Sequence, residues 1–427
     1  MIYNVLDYGA VPDGKTLSTD AIQSAINACN KNGGGRVLIP SGNFYSGSLY
    51  LLDNVELHLE HGAVLMASGN IDDYNPDDAY FQNYGAPSEQ WRPKHFIMAI
   101  ERDNVSITGS GIIDGNGESF RKPADPPLPY AYVWMYGTSR VKDEEVMRPG
   151  QLICFVESTN ICVRGITVRN APSWTIFVYG CEYVRINAVQ IFNHKTALNT
   201  DGIDIDSSRY VTISDCNIET GDDAITFRCA TQRLKKHRIC EYITVTNCNC
   251  AVSADVFRIG VGFGTIRHIR VSNITVERAG KILDYMTSYR GRGEAKIEDV
   301  NFSNISAAFC STPICLRGDR GYIKNVSVEN LRANCIANIS IIGNEESKIS
   351  NINLKNIETY ILPEEREITD KHREYRGDYM VEVKNVENVT LDNVRVFAED
   401  AALPAWSGKF NVENSTGIAV TNCNFNL

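Results

Sequence analysis

Short phrases in which a turn-forming residue precedes strictly alternating apolar and polar residues return along the whole chain. They read Asn104-Val105-Ser106-Ile107, Asn160-Ile161-Cys162-Val163, Tyr183-Val184-Arg185-Ile186, Tyr210-Val211-Thr212-Ile213 and Tyr242-Ile243-Thr244-Val245. The series continues as His268-Ile269-Arg270-Val271, Asn325-Val326-Ser327-Val328, Asn351-Ile352-Asn353-Leu354, Asn388-Val389-Thr390-Leu391 and Gly417-Ile418-Ala419-Val420. A period of two marks strands with one buried face. Where the spacing is regular it is roughly 23 to 37 residues, inside the range of solenoid repeats. One such repeat cannot close a core, whereas stacked coils can. The pattern predicts an all-β fold, a single-stranded right-handed parallel β-helix, with residues 1–427 as one domain. Propellers repeat at a similar length but need four strands per blade and their own blade signatures, which the sequence lacks.

Helical spacing occurs in one place. Thr19 to Ala28 follows a Ser/Thr/Asp cap and is stopped by Gly33-Gly34-Gly35, which predicts a helix capping the open end of the solenoid. The glycines follow the helix, whereas a phosphate-binding loop would open it. Insertions near 72–95 and 122–150 carry Trp91, Tyr130, Tyr132, Trp134 and Tyr136, and a third near 362–377 is charged. Loops of that length are usually functional, and the aromatic residues are expected to wall a cleft.

Composition narrows the partners. The chain is 43% hydrophobic and 22% charged, ordinary for a protein with a large core. A net charge of -10 lacks the basic face of a nucleic-acid binder. No apolar run approaches the roughly 20 residues of a membrane span. Thirteen cysteines, scattered through strand-like segments, show neither metal-ligand spacing nor a disulfide framework, so buried free thiols are expected. No basic-then-apolar leader follows Met1, which gives a cytoplasmic expectation, or a secreted one if a leader has been trimmed.

Chemistry concentrates in Asn199-Thr200-Asp201-Gly202-Ile203-Asp204-Ile205-Asp206 and, one repeat later, Gly221-Asp222-Asp223-Ala224-Ile225. Matched positions of stacked coils lie about 4.8 Å apart, so carboxylates there approach one another. Like charges at that range raise at least one pKa and leave an acid beside a base. Asp204, Asp206 and Asp215 read as turn residues. Two adjacent carboxylates are a costly choice for a turn that needs one, so Asp201, Asp222 and Asp223 read as catalytic.

These motifs, with Gly33-Gly34-Gly35-Arg36-Val37, Asn54-Val55-Glu56-Leu57-His58-Leu59, Ile107-Thr108-Gly109-Ser110-Gly111-Ile112-Ile113-Asp114-Gly115 and Ala171-Pro172-Ser173-Trp174-Thr175-Ile176, resemble the polygalacturonase family of glycoside hydrolases, family 28. The resemblance implies an inverting hydrolase of pectin-type or related oligosaccharides, without metal or organic cofactor. It gives Asp222 the general-acid role and Asp201 and Asp223 the bases that hold water, with acid and base about 6.5–9.5 Å apart. Two motifs depart from the family. Asp255 stands where its Gly-His-Gly carries His, and Lys281-Ile282-Leu283-Asp284-Tyr285-Met286 replaces its Arg-x-Lys. With that basic pair gone, a neutral sugar held by Asp255 and Asp284 becomes an option. The substrate-contact candidates are Asn199, Asp255, Arg228, Arg258, Asp284 and Arg292, and His194 or His237 could replace the missing His. The long loops point to exo action. The rivals are a β-helix lyase or epimerase using Arg228 or Arg258 with Ca²⁺, and a carbohydrate-binding solenoid without catalysis.

Overall fold

A computed structural model describes residues 1–76, 91–122, 140–141, 148–230, 234–236, 238–289, 293–363 and 377–425, with backbone alone at 91, 122, 140, 141 and 405. The chain divides into two compact units, Met1–Ala224 with Gln232–Arg238, and Ile225–Thr231 with Ile239–Leu427. Each is built as the alternation predicts, from parallel strands paired with the strand one coil on. The fold is the expected right-handed parallel β-helix.

In the first unit a coil has three strands, such as Ile176–Tyr179, Glu182–Asn187 and Gln190–Phe192, followed by Ile203–Asp206, Arg209–Ser214 and Asn217–Thr220. Register stacks like on like: Val105 pairs with Ile161, Ile161 with Val184 and Val184 with Val211. In the second unit the column runs Ile243, Ile269, Val300, Val326, Ile352, Val389, Ile418. At about 4.8 Å per coil these side chains touch above and below, so the core is a set of apolar columns.

The coil at Asp299-Val300-Asn301-Phe302 escaped the sequence reading because Asp stands at its turn in place of Asn, Tyr or His. The structure shows what that position demands. Asn104, Asn160, Tyr183 and Tyr210 have φ of 58, 54, 57 and 58°, and Tyr242, His268, Asp299, Asn325, Asn351 and Asn388 lie at 54–56°. This left-handed region suits Asn and Asp, whose short side chains bond locally, and penalises most others. Asn351 Nδ2 donates to Asn325 Oδ1 at 2.9 Å and Asn388 Nδ2 to Asn351 Oδ1 at 3.2 Å, forming a ladder. A second ladder runs through Asn247, Asn273, Asn304, Asn330, Asn356 and Asn393 with links of 2.9–3.2 Å. Where Tyr or His takes the turn, ring stacking compensates: Tyr183 on Tyr210 and Tyr242 on His268, each at 5.0 Å.

The helix spans Thr19–Lys31, three residues beyond its predicted end. Ser18 precedes it without a side-chain capping bond, its Oγ accepting from Val11 N–H at 3.1 Å. Ile22, Ala25, Ile26 and Cys29 are buried toward the strands Ile2–Asn4 and Gly35–Ile39. All thirteen cysteines are free thiols, ten of them buried, as expected. No helix among the described residues is long and apolar enough to cross a membrane. Tyr130, Tyr132, Trp134, Tyr136, Arg290, Arg292, His237 and most of the three insertions lie outside the described residues, as does the side chain of Trp91.

Candidate active site

Asp201 lies in the turn before the strand Ile203–Asp206, and Asp222 and Asp223 fall just after Asn217–Thr220. The backbone locks these turns together across coils: Gly202 N–H donates to Asp223 O at 2.9 Å, and Thr175 N–H to Asp201 O at 2.8 Å. Thr200 Oγ1 accepts from Gly221 N–H at 3.1 Å and donates to Ala197 O at 2.9 Å. Thr220 Oγ1 donates to the Asp222 carbonyl at 2.8 Å. Both motif glycines are steric requirements. A Cβ on Gly202 would meet Ala224 O at 2.6 Å, and one on Gly221 would meet Ala197 O at 2.2 Å.

The result is that one carboxylate oxygen from each of Asp201, Asp222 and Asp223 lies within 4.8 Å of the others. Asp201 and Asp223 are buried and Asp222 is half-exposed. The nearest oxygens are thus closer than the about 6.5–9.5 Å that inverting enzymes keep between whole carboxyl groups. Coil stacking sets one spacing and adjacency in sequence the other, and both are short. No other group of His, Cys, Asp or Glu among the described residues is close enough to hold a metal ion.

Asn199, in the left-handed region at φ 52°, donates its backbone N–H to Asp222 Oδ2 at 3.0 Å. Sequence reasoning missed what holds Asn199 in turn. Arg148, only 1% exposed, donates Nη2 to Asn199 Oδ1 at 2.6 Å and Nη1 to the carbonyls of Pro172 at 3.0 Å and Leu198 at 2.5 Å. It lies near the end of the 122–150 insertion in sequence, and bonds to main-chain carbonyls and an amide leave no pairwise signal there. Asn193 was also missed. It is buried, and its Nδ2 donates to Thr175 Oγ1 at 2.7 Å and to Thr200 O at 3.2 Å.

Asp204 and Asp206 are not the turn residues expected. They sit on the strand Ile203–Asp206, buried, in register with Phe177 and Tyr179. The period-two rule places them on the outward side of that strand, beside an apolar cluster of Met98, Cys154, Val156, Trp174, Phe177 and Tyr179. Asp215 is a turn residue, at φ 59°, accepting from Asn187 Nδ2 at 2.9 Å. His194 is exposed and pairs with Thr196 Oγ1 at 2.8 Å.

The second unit holds the departures from the family pattern, and they form one network. Arg258 Nη2 meets Asp255 Oδ2 at 2.7 Å, Arg258 Nη1 meets Asp284 Oδ2 at 3.2 Å, and Lys281 Nζ meets Asp284 Oδ1 at 2.8 Å. Register explains the grouping, since Arg258 lies opposite Asp284 and Asp255 opposite Lys281 on adjacent strands. Burial pushes the Asp284 carboxyl up, but Lys281 and Arg258 overcome it and hold the group below the usual carboxylate range. Burial likewise lowers Lys281, and Asp284 and Asp255 reverse that and raise it. The four formal charges cancel. Asp255 and Asp284 are therefore engaged with cations, against the expectation that they wait for sugar hydroxyls. Arg258 and Lys281, 23 residues apart in sequence, both pair with Asp284. Arg228 is half-buried on Ile225–Cys229.

The sequence profile of the family described as "Glycosyl hydrolases family 28" matches residues 29–376. An exo-poly-alpha-D-galacturonosidase of Dickeya chrysanthemi is 33% identical over 263 residues, covering 53% of this chain and 42% of that protein. The chain spans less than half the length of the first curated relatives it matches. A family 28 exopolygalacturonase of Yersinia enterocolitica has the same fold, with a TM-score of 0.75 over 98% of this chain and 78% of that one at 21% identity. A hyperthermoactive exopolygalacturonase from Thermotoga maritima gives 0.65 over 92% of both chains at 24% identity.

Proposed function

Because the chain belongs to glycosyl hydrolases family 28, we propose that it hydrolyses O-glycosidic bonds of pectin-type oligosaccharides, removing sugar from a chain end. The observation that carries this reading is the convergence of Asp201, Asp222 and Asp223 to within 4.8 Å. The Asn199 backbone N–H donates to Asp222 Oδ2 at 3.0 Å and so fixes the direction of that carboxyl group. Asp222 gives a proton to the departing glycosidic oxygen. Water attacks the anomeric carbon from the opposite face and loses its proton to Asp201 or Asp223, which inverts the configuration. Exo action on uronate chains is supported by the likeness to the Dickeya exo-poly-alpha-D-galacturonosidase and the Yersinia and Thermotoga exopolygalacturonases. The ion pairs of Asp255 and Asp284 with Arg258 and Lys281 remove the support for a neutral sugar held by those two carboxylates.

The test is product analysis by chromatography and NMR on galacturonate oligomers and neutral oligosaccharides, with the first-formed anomer followed. Single uronate residues released with inverted configuration are expected. Retained configuration would recast one base as a nucleophile. An unsaturated, ultraviolet-absorbing product would replace hydrolysis by elimination. Binding without release would leave a non-catalytic solenoid.

A further inference from the structure

Asn193 follows the strand Gln190–Phe192, in which Phe192 stands in register between Arg169 and Glu219 of the coils on either side. It is 4% exposed, and both ends of its side-chain amide are engaged. Oδ1 accepts from Ala171 N–H at 2.8 Å, and Nδ2 donates to Thr175 Oγ1 at 2.7 Å and to Thr200 O at 3.2 Å. A main-chain donor at Ala171 and a main-chain acceptor at Thr200 fix which way round the amide sits. Its own backbone N–H donates to Glu219 O at 2.8 Å, on the coil that carries Asp222 and Asp223. Burying an amide is costly, and these bonds offset the cost.

The same bonds frame Asp201. The Asn193 amide holds the carbonyl before it, Thr200 O, at 3.2 Å, and Thr175 N–H holds the carbonyl after it, Asp201 O, at 2.8 Å. Thr175 is in turn tied to Asn193 through its hydroxyl. Each peptide group is planar, so pinning the two that flank a residue settles its φ and ψ and the direction in which its Cα–Cβ bond leaves the chain. Asp222 is held differently, by the Asn199 N–H directly on its carboxylate.

The geometry points to Asn193 as a positioning residue, which sets where the Asp201 carboxylate lies against Asp222 and Asp223 by holding the backbone around it. Its partners are Ala171, Thr175 and Thr200, so it acts through Asp201 and not on the reacting atoms. The consequence for turnover rests on the reading of Asp201 as a base for the attacking water; the placement itself does not.

The experiment follows the full chain with its aspartate carboxyl carbons labelled with carbon-13, the Asp201 resonance being assigned by its loss in Asp201→Asn. Carboxylates this close titrate together, so displacing one changes the midpoints of the group. In Asn193→Ala the Asp201 midpoint should move by about 0.5 pH unit or more. On galacturonate oligomers kcat should fall roughly tenfold or more with KM within about twofold. Asn193→Ser, the milder change, serves if Asn193→Ala fails to fold. Val105→Ala, in the core column three coils before Val211, should lower the urea midpoint and leave both readouts alone. An Asp201 midpoint within about 0.2 pH unit of the parent in a folded Asn193 variant, or an equal loss of kcat in Val105→Ala, overturns the proposal. A parent that hydrolyses nothing removes the hydrolytic function, and the titration then decides the placement of Asp201 by itself.

Discussion

Asp284→Asn keeps the volume of the side chain and removes its charge, which leaves Arg258, Lys281 and Asp255 with a net positive charge under almost no solvent. Asp284 is fully buried and meets both cations, at 3.2 and 2.8 Å; Lys281 is 8% exposed and has no other ion pair among the described residues. Removing one partner of a buried ion pair costs about 3–5 kcal/mol, mostly because the other charge stays buried without compensation. Adding Lys281→Met should therefore rescue most of the loss, since Arg258 and Asp255 remain paired at 2.7 Å. The assay is urea unfolding followed by circular dichroism and by tryptophan fluorescence, with stability taken from midpoint and slope where the two probes coincide. The acid limb carries a second signature. The folded Asp284 carboxyl is held below its unfolded pKa, so its contribution is present above the ordinary carboxylate range and fades as pH falls through the folded value. Asp284→Asn should lack that part of the acid slope. A loss under about 1 kcal/mol, the size of a surface pair, or a double variant no more stable than the single one, would refute the idea that the charges compensate one another.

Three further outcomes follow from the first unit. Asp222→Asn should lower kcat by about 10²–10⁴ with unchanged circular dichroism, and near-parental turnover would remove Asp222 from the acid role. Arg148→Met should lower kcat and also destabilise, because Asn199, which holds Asp222, loses its 2.6 Å anchor; full activity would make Arg148 purely structural. Burial lowers His95 to about 4, although its bond to the Gln151 carbonyl pulls the other way. Its unfolded pKa lies near 6.5, so stability is complete above that and declines toward pH 4, by on the order of 3 kcal/mol. Urea midpoints at pH 7.5 and 4.5 should therefore converge in His95→Gln relative to the parent.

What was legible in the sequence is what local rules govern. Alternation at Val105, Ile161 and Val184 pointed to the strands, and paired carboxylates bounded by glycine pointed to the three aspartates whose carboxylates the structure brings within 4.8 Å. Asp204 and Asp206 were misread because a buried acidic residue on a strand breaks the apolar-in, polar-out pattern from which the reading starts. The Arg258–Lys281 grouping was hidden because it depends on register between two strands, and a shift of one residue would have pointed these side chains to opposite faces. Arg148 was hidden because two of its hydrogen bonds go to main-chain carbonyls, which every residue possesses, and a third to the Asn199 amide.

The asparagine ladders also bear on how the protein can be made. Asn104, Asn273, Asn304 and Asn388 each open an Asn-x-Ser/Thr triplet, the acceptor for N-linked glycans. The amide nitrogen that would carry the glycan already donates to the asparagine one coil away, from Asn104 to Asn54, Asn273 to Asn247, Asn304 to Asn273 and Asn388 to Asn351. A sugar attached before the coils stack would sit at a position whose neighbours are only about 4.8 Å above and below, and would wedge them apart. A sugar attached afterwards would need the amide withdrawn from the ladder. Production in a host without N-glycosylation leaves every one of these rungs intact.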